Sequence, residues 1–149
     1  MLKRNLEIVQ NKIAQEKLNN TNLCDPRIIA VSKKQNSQKM RDLFALGIDN
    51  FGENYLQEAL LKMEDLKDLS IHWHFIGSLQ SKKLKDVVGN FEFIHSVSRI
   101  KEIEKIAELC QLKQIKQKIF IQVNIGLEET KSGVLPRELP QLLKALKNF

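Results

Sequence analysis

Lys33 closes a short apolar run, Ile28-Ile29-Ala30-Val31-Ser32-Lys33. The run has the length and β-branched content of a strand, and strand alternation puts Ile29, Val31 and Lys33 on one face. An amine at the end of a buried strand face is costly unless something uses it. Burial also favours the neutral, nucleophilic form of an amine, the form that attacks carbonyls. The competing reading is a lysine that snorkels from a strand end into water. Three other groupings invite chemistry. His72 and His74 stand two apart on one strand face, a spacing that can chelate a metal, but no third ligand lies nearby in the sequence. Glu53 and Glu58 could do acid–base work, yet they flank a strand-to-helix junction of undefined geometry, and Glu58 reads as a helix-surface residue. Ser96 and His95 are adjacent on a strand, so their side chains are expected on opposite faces.

These residues sit in a regular alternation of elements. A helix is expected over 2–20, with Leu2, Leu6, Val9 and Ile13 at helical spacing, followed by the strand 28–32. Ser37 reads as the N-cap of a helix carrying Met40, Leu43, Phe44 and Leu46, with Gly47 suited to its C′ position. Then come an extended segment at 48–52 and a helix at 54–66, a strand at 72–76 and a helix at 81–88. A strand at 92–97 and a helix at 99–111 follow, and last a strand at 118–125 and a helix at 136–148. Phe44, Leu60, Met63, Leu66, Ile106 and Leu109 are expected core positions on the helices.

An N-terminal helix followed by five βα units predicts a parallel sheet with right-handed crossovers. A doubly wound sheet calls for a glycine-rich turn after its first strand, and Ser32-Lys33-Lys34-Gln35-Asn36-Ser37 has no glycine. Polar residues instead collect at strand C-termini, at Lys33, Glu53-Asn54, Gly77-Ser78, Ser96 and Asn124, as on the catalytic face of a (β/α)8 barrel. Such a barrel needs eight units and about 250 residues. The expected fold is therefore α/β, a TIM-type barrel that is incomplete: one domain over residues 1–149, truncated at its C-terminus.

At 149 residues, 42% hydrophobic and 28% charged, the composition is that of an ordinary globular domain. No stretch of signal-peptide or membrane-span character appears, so no membrane association is expected. Cys24 and Cys110 stand far apart in no CxxC pattern and are expected to be free thiols, which points to the cytoplasm. The net charge of +6 raises nucleic acid as a partner. The lysines are interspersed with glutamates, however, and the densest cluster, Lys82-Lys83-Leu84-Lys85, has no interleaved aromatics. A solvated basic surface with no nucleic-acid partner is the expectation.

Five segments, in order, resemble the pyridoxal-phosphate (PLP) homeostasis protein family, whose members are related to the N-terminal barrel of alanine racemase. They are Ala30-Val31-Ser32-Lys33, then Phe51-Gly52-Glu53-Asn54-Tyr55-Leu56-Gln57-Glu58, then Trp73-His74-Phe75-Ile76-Gly77-Ser78-Leu79-Gln80-Ser81-Lys82-Lys83. Ile94-His95-Ser96-Val97-Ser98-Arg99 follows, and Gln122-Val123-Asn124-Ile125 leads to Thr130-Lys131-Ser132-Gly133. The resemblance implies that Lys33 holds PLP as an aldimine, with Asn54, His74, Ser96 and Asn124 on the cofactor-facing rim and Lys131 on a loop that influences cofactor handling. It implies PLP as the cofactor, a homeostasis role in vitamin B6 supply without turnover, and PLP-dependent apoenzymes as partners. A fold-type III amino-acid racemase is the alternative activity.

Departures from the family pattern accompany the match. Where the pattern continues after the lysine with threonine, lysine and proline, this chain has Lys34, Gln35 and Asn36. Ser78 stands where proline is usual, Lys82 where asparagine is usual and Ser98 where aspartate is common. The family's phosphate cradle and the arginine facing the pyridine nitrogen come from later strands. A truncated product with impaired PLP binding, self-associating through open sheet edges, is therefore a third expectation.

Overall fold

The computed structural model describes residues 1–20 and 25–147. Eleven elements follow one another: α1 (Leu2–Asn19), β1 (Ala30–Val31), α2 (Ser37–Ala45), β2 (Asn50–Glu53), α3 (Leu56–Asp65), β3 (His72–Phe75), α4 (Leu84–Val87), β4 (Phe93–Val97), α5 (Ile100–Lys113), β5 (Lys118–Ile121) and α6 (Leu139–Leu146). The strands form one parallel sheet in the order β1-β2-β3-β4-β5. A doubly wound sheet must reverse its strand order at a switch point. A consecutive order with right-handed crossovers places the helices on one face and curls the sheet toward a barrel. The N-terminal helix and five βα units of a TIM-type barrel are present.

Alternation along the strands divides the side chains between two layers. Phe51, Phe75, Ile94 and Val97 face the helices and are buried, the last three with Leu56, Ala59, Leu84, Val87, Ile103, Ile106 and Leu109. Burying side chains of this size contributes roughly 1.5–3 kcal/mol each. Met40, Ile48, Phe51 and Leu66 form a second cluster under α2, and Trp73 packs against both. Leu66, Ile106 and Leu109 are buried as expected from helical spacing, and Phe44, Leu60 and Met63 pack partly buried against the same clusters.

Several boundaries differ from the sequence expectation. β1 pairs only at Ala30 and Val31, because it lies at the sheet edge and has a ladder on one side alone. The N-cap of α2 is Asn36, whose side chain accepts from the Lys39 N–H, rather than Ser37, whose hydroxyl instead donates to Asp65. α4 shrinks to one turn because residues 81–83 form a tight turn closed by the Lys83 N–H on Gln80 O. β5 stops at Ile121, after which the chain crosses to bridge Val123 with Val134. No helix among the described residues is long and apolar enough to cross a membrane.

Candidate functional site

The register aligns a row of residues across the inner face of the sheet. Val31 pairs with Gly52, Gly52 with His74, His74 with Phe93, and Phe93 with Lys118. At the C-terminal ends, Ser32 N–H donates to Gly52 O at 3.0 Å and Ile76 N–H to Glu53 O at 2.9 Å. β1 ends there: Ser32 to Gln35 form a turn, closed by the Gln35 N–H on Ser32 O, that carries Lys33 and Lys34 out of the ladder.

A cavity of about 830 Å³ opens at this end of the strands, lined by Asn54, Gly77, Ser96, Gln122 and Lys131 among others. Two glycines allow its walls to close in. A Cβ on Gly77 would lie 2.0 Å from Asn54 O, so the turn after β3 rests directly on the Asn54 backbone. Gly133 adopts φ +129, and a Cβ there would lie 2.7 Å from Asn124 N. Asn54 Oδ1 is buried with no hydrogen-bond partner among the described residues. Arg99 and Glu102, also on the wall, are paired with each other.

Lys33 is exposed, which corrects the expectation of a buried amine. Nothing covers the inner face at this edge: Val31, on the same face, is 53% exposed. The Lys33 ammonium has no hydrogen-bond or ion-pair partner among the described residues. Ser96 Oγ donates to Gly77 O and joins the β3 and β4 ends of the cavity. A register shift between Ile94 and Val97 sets two residues, His95 and Ser96, against the single Phe120, which overrides the simple alternation expected for that pair.

Asn124 lies apart from that cavity and lines a neighbouring one. Its Nδ2 donates to Glu128 O at 2.9 Å and its Oδ1 accepts from the Glu128 N–H at 3.3 Å, so the side chain shapes the loop that carries Lys131. His74 lies below the rim, buried within the sheet and stacked on Phe93 with centroids 4.6 Å apart. Its ring nitrogens face Asn50 Oδ1 and His95 Nε2, each at 2.9 Å. Burial, with the neighbouring His95 second, pushes its pKa down to about 4. His72 turns instead to Glu92, whose carboxyl is held down to about 2 by Lys118 and then by His72. The two histidines of β3 therefore point their nitrogens at different partners, and no cluster of three metal-ligating side chains occurs among the described residues. Of the five predicted site residues, the structure brings Asn54 and Ser96 to one cavity; Lys33 is not on its wall but follows β1 at the same end of the sheet, His74 lies lower in the sheet and Asn124 beside the cavity.

Sequence reasoning missed Lys62. Its ammonium is buried and donates to Glu53 Oε1 and Glu58 Oε1, each at 2.6 Å, and to Ser32 O at 2.7 Å. The two glutamates that lacked a defined geometry in the sequence thus meet on one cation, and Glu58 is half-buried rather than a free surface residue. Cys110 is a free, half-buried thiol whose pKa burial raises. Cys24 lies outside the described residues.

The sequence profile of the family described as alanine racemase, N-terminal domain, matches residues 2–149. The chain belongs to this family. A pyridoxal phosphate homeostasis protein of Pseudomonas aeruginosa is 41% identical over 122 residues, which cover 82% of this chain and 53% of that protein. PipY of Synechococcus elongatus PCC7942, solved with PLP bound, superposes with a TM-score of 0.70 at 31% identity, over 87% of this chain and 63% of PipY. Alanine racemase of Clostridium difficile shares the fold, with a TM-score of 0.65 at 18% identity over 95% of this chain and 37% of the racemase. The chain spans between about half and two thirds of the length of the homeostasis proteins it matches.

The residues present fit the aldehyde end of PLP. The cavity has room for a single-ring cofactor and its wall carries Asn54, whose amide oxygen is buried and unsatisfied, while the unpartnered Lys33 amine follows β1 at the same end of the sheet. Ser96 and Lys131 on the cavity wall add polar groups suited to an anionic, hydroxylated ring.

Proposed function

We propose that this chain binds PLP at the C-terminal end of its sheet through Lys33 and serves in cellular PLP homeostasis rather than in turnover. The observation that carries this reading is the unpartnered Lys33 amine just past the C-terminal end of β1, at the same end of the sheet as the cavity lined by Asn54, Ser96 and Lys131. PLP supplies a reactive aldehyde and an electron-withdrawing ring when bound. Lys33 would hold PLP through its amine at the aldehyde carbon. Asn54 and Ser96 orient polar substituents of the ring, and Lys131 offers a positive charge from the facing loop. His74 and Asn124 hold the floor and the loop. The homeostasis role is supported by the naming of the curated relatives and by the PLP-bound PipY structure.

Residues 1–149 act in this reading as one barrel-type domain working in the cytosol, with PLP-dependent apoenzymes as acceptors. Open strand edges at β1 and β5, with Phe120 50% exposed on the inner face, favour self-association. Titrating PLP into the chain and following the visible absorbance of the protein-bound cofactor tests the site. A new band that disappears in Lys33→Ala is expected, and absence of any band in the parent chain refutes the reading.

A further inference from the structure

The residues on either side of Lys33 are held by one buried cation. Lys62, on α3, is 5% exposed, and its three ammonium protons are matched by three acceptors. One acceptor is Ser32 O, immediately before Lys33. A second, Glu58 Oε1, also accepts the N–H of Lys34, immediately after Lys33, at 2.6 Å. The third, Glu53 Oε1, is shared with the Ser32 hydroxyl at 2.7 Å. The path Ser32–Lys62–Glu58–Lys34 therefore closes a ring of polar contacts around the Lys33 backbone.

Packing alone does not explain this arrangement. An apolar side chain at position 62 would fill the same space without the desolvation of an ammonium and a fully buried Glu53. What the network adds is a fixed backbone geometry. Lys34 adopts φ 59, a left-handed conformation that a residue with a Cβ rarely holds. Such a conformation persists where its surroundings over-determine it. Here Glu58 fixes the Lys34 N–H, the Gln35 N–H closes on Ser32 O at 3.0 Å, and Lys62 binds both acceptors.

We propose that Lys62 is a positioning residue for Lys33. By fixing Ser32 directly and Lys34 through Glu58, it sets the direction in which the Lys33 amine leaves the C-terminal end of β1. This role rests on the PLP-binding reading of Lys33, and Lys62 itself touches no cofactor. Holding a nucleophile near its attack geometry accelerates bond formation rather than tightening binding. Loss of the ring should therefore lower the rate of attachment at saturating PLP more than it raises the half-saturating concentration.

Three variants of the full chain test this, one of them the conservative Lys62→Arg. Glu53→Gln combined with Lys62→Met removes both buried charges together, and Glu58→Ala removes the bridge to Lys34 from a half-exposed position. The first readout, without PLP, is amide hydrogen exchange. The Lys34 amide is expected to exchange about tenfold faster in the double variant and in Glu58→Ala while the amides of β2 and β3 keep their parental rates. The second is the attachment rate at Lys33 at saturating PLP, followed by borohydride trapping and peptide mapping. It is expected to fall about tenfold in the double variant and to stay within about threefold of parent in Lys62→Arg. Unchanged Lys34 exchange, or an unchanged saturating rate at a labelled Lys33, overturns the role of Lys62. A parent chain left unlabelled at Lys33 refutes the PLP reading instead, and the exchange measurement then still decides whether Lys62 anchors the segment.

Discussion

His74 Nδ1 lies 2.9 Å from His95 Nε2, and the direction of that hydrogen bond is fixed from the other side of the ring. Asn50 Nδ2 donates to Asp49 Oδ1 at 2.6 Å, which turns Asn50 Oδ1 toward His74 Nε2. An amide oxygen only accepts, so His74 carries its proton on Nε2 and accepts at Nδ1 from the His95 N–H. Both nitrogens are committed in the neutral ring, and a second proton would point at a donor.

That arrangement predicts acid sensitivity. Burial, then repulsion from His95 with smaller contributions from His72 and Arg27 and an opposing one from Glu92, lowers the His74 pKa from 6.5 to about 4. The unfolded chain binds more protons than the folded one between those values. Stability is thus fully present above pH 6.5 and is lost progressively as pH falls toward 4, by up to about 3 kcal/mol. Urea midpoints measured across this range should slope downward with acid in the parent and lose most of that slope in His74→Gln. Equal slopes would contradict the burial of a neutral imidazole.

Gly77→Ala places a methyl group 2.0 Å from Asn54 O, against backbone that cannot swing away as a side chain could. The turn after β3 must lift from Asn54, at a cost of about 1–3 kcal/mol. Because Asn54 lines the cavity, PLP uptake should weaken along with stability. A denaturation midpoint and a PLP titration on the same sample check both, and an unchanged titration would separate Gly77 from the site.

Lys62→Met alone leaves the fully buried Glu53 carboxylate, with its second oxygen already unpartnered, without its cation. Breaking such a pair from one side costs about 3–5 kcal/mol. Adding Glu53→Gln should restore most of that loss, since the pair repays little beyond its own desolvation. A double-mutant cycle by urea denaturation measures the coupling, and additive losses would contradict a direct Lys62–Glu53 interaction.

The fold was largely open to sequence reading because each of the strands β2 to β5 carries its own apolar signal. Phe51, Phe75, Ile94 and Ile119 recur at βα spacing, and their helices show apolar faces at Leu56, Ala59, Ile103 and Ile106. What stayed hidden depends on pairing between distant segments. Glu58 reads as a helix-surface residue and Lys62 carries no signal of its own, and only Glu53, arriving from the preceding strand, draws the lysine inside. The available signal was a lysine four residues after Glu58, closely following the glutamate that ends β2. His95 meets His74 through a register that the irregularity between Ile94 and Val97 obscures. The exposure of Lys33 reflects an uncovered edge rather than anything in the run Ile28–Val31.

Self-association should follow from that uncovered inner face. Phe120 is 50% exposed, stacks on Phe93 and lies tilted against His95 at the β5 edge. Phe120→Lys adds charge to the edge and should shift the chain toward monomer in sedimentation velocity, as inward-pointing charges do on edge strands. A parent chain that is already monomeric over the tested concentrations would contradict association through this face.

The most direct measurement of the PLP site is peptide mapping after borohydride reduction of the chain incubated with PLP. The label is predicted on the peptide carrying Lys33, with loss of that label and of the visible band in Lys33→Ala. A label distributed over surface lysines in proportion to their exposure, or one whose total is unchanged by Lys33→Ala, would contradict a specific site at the end of β1.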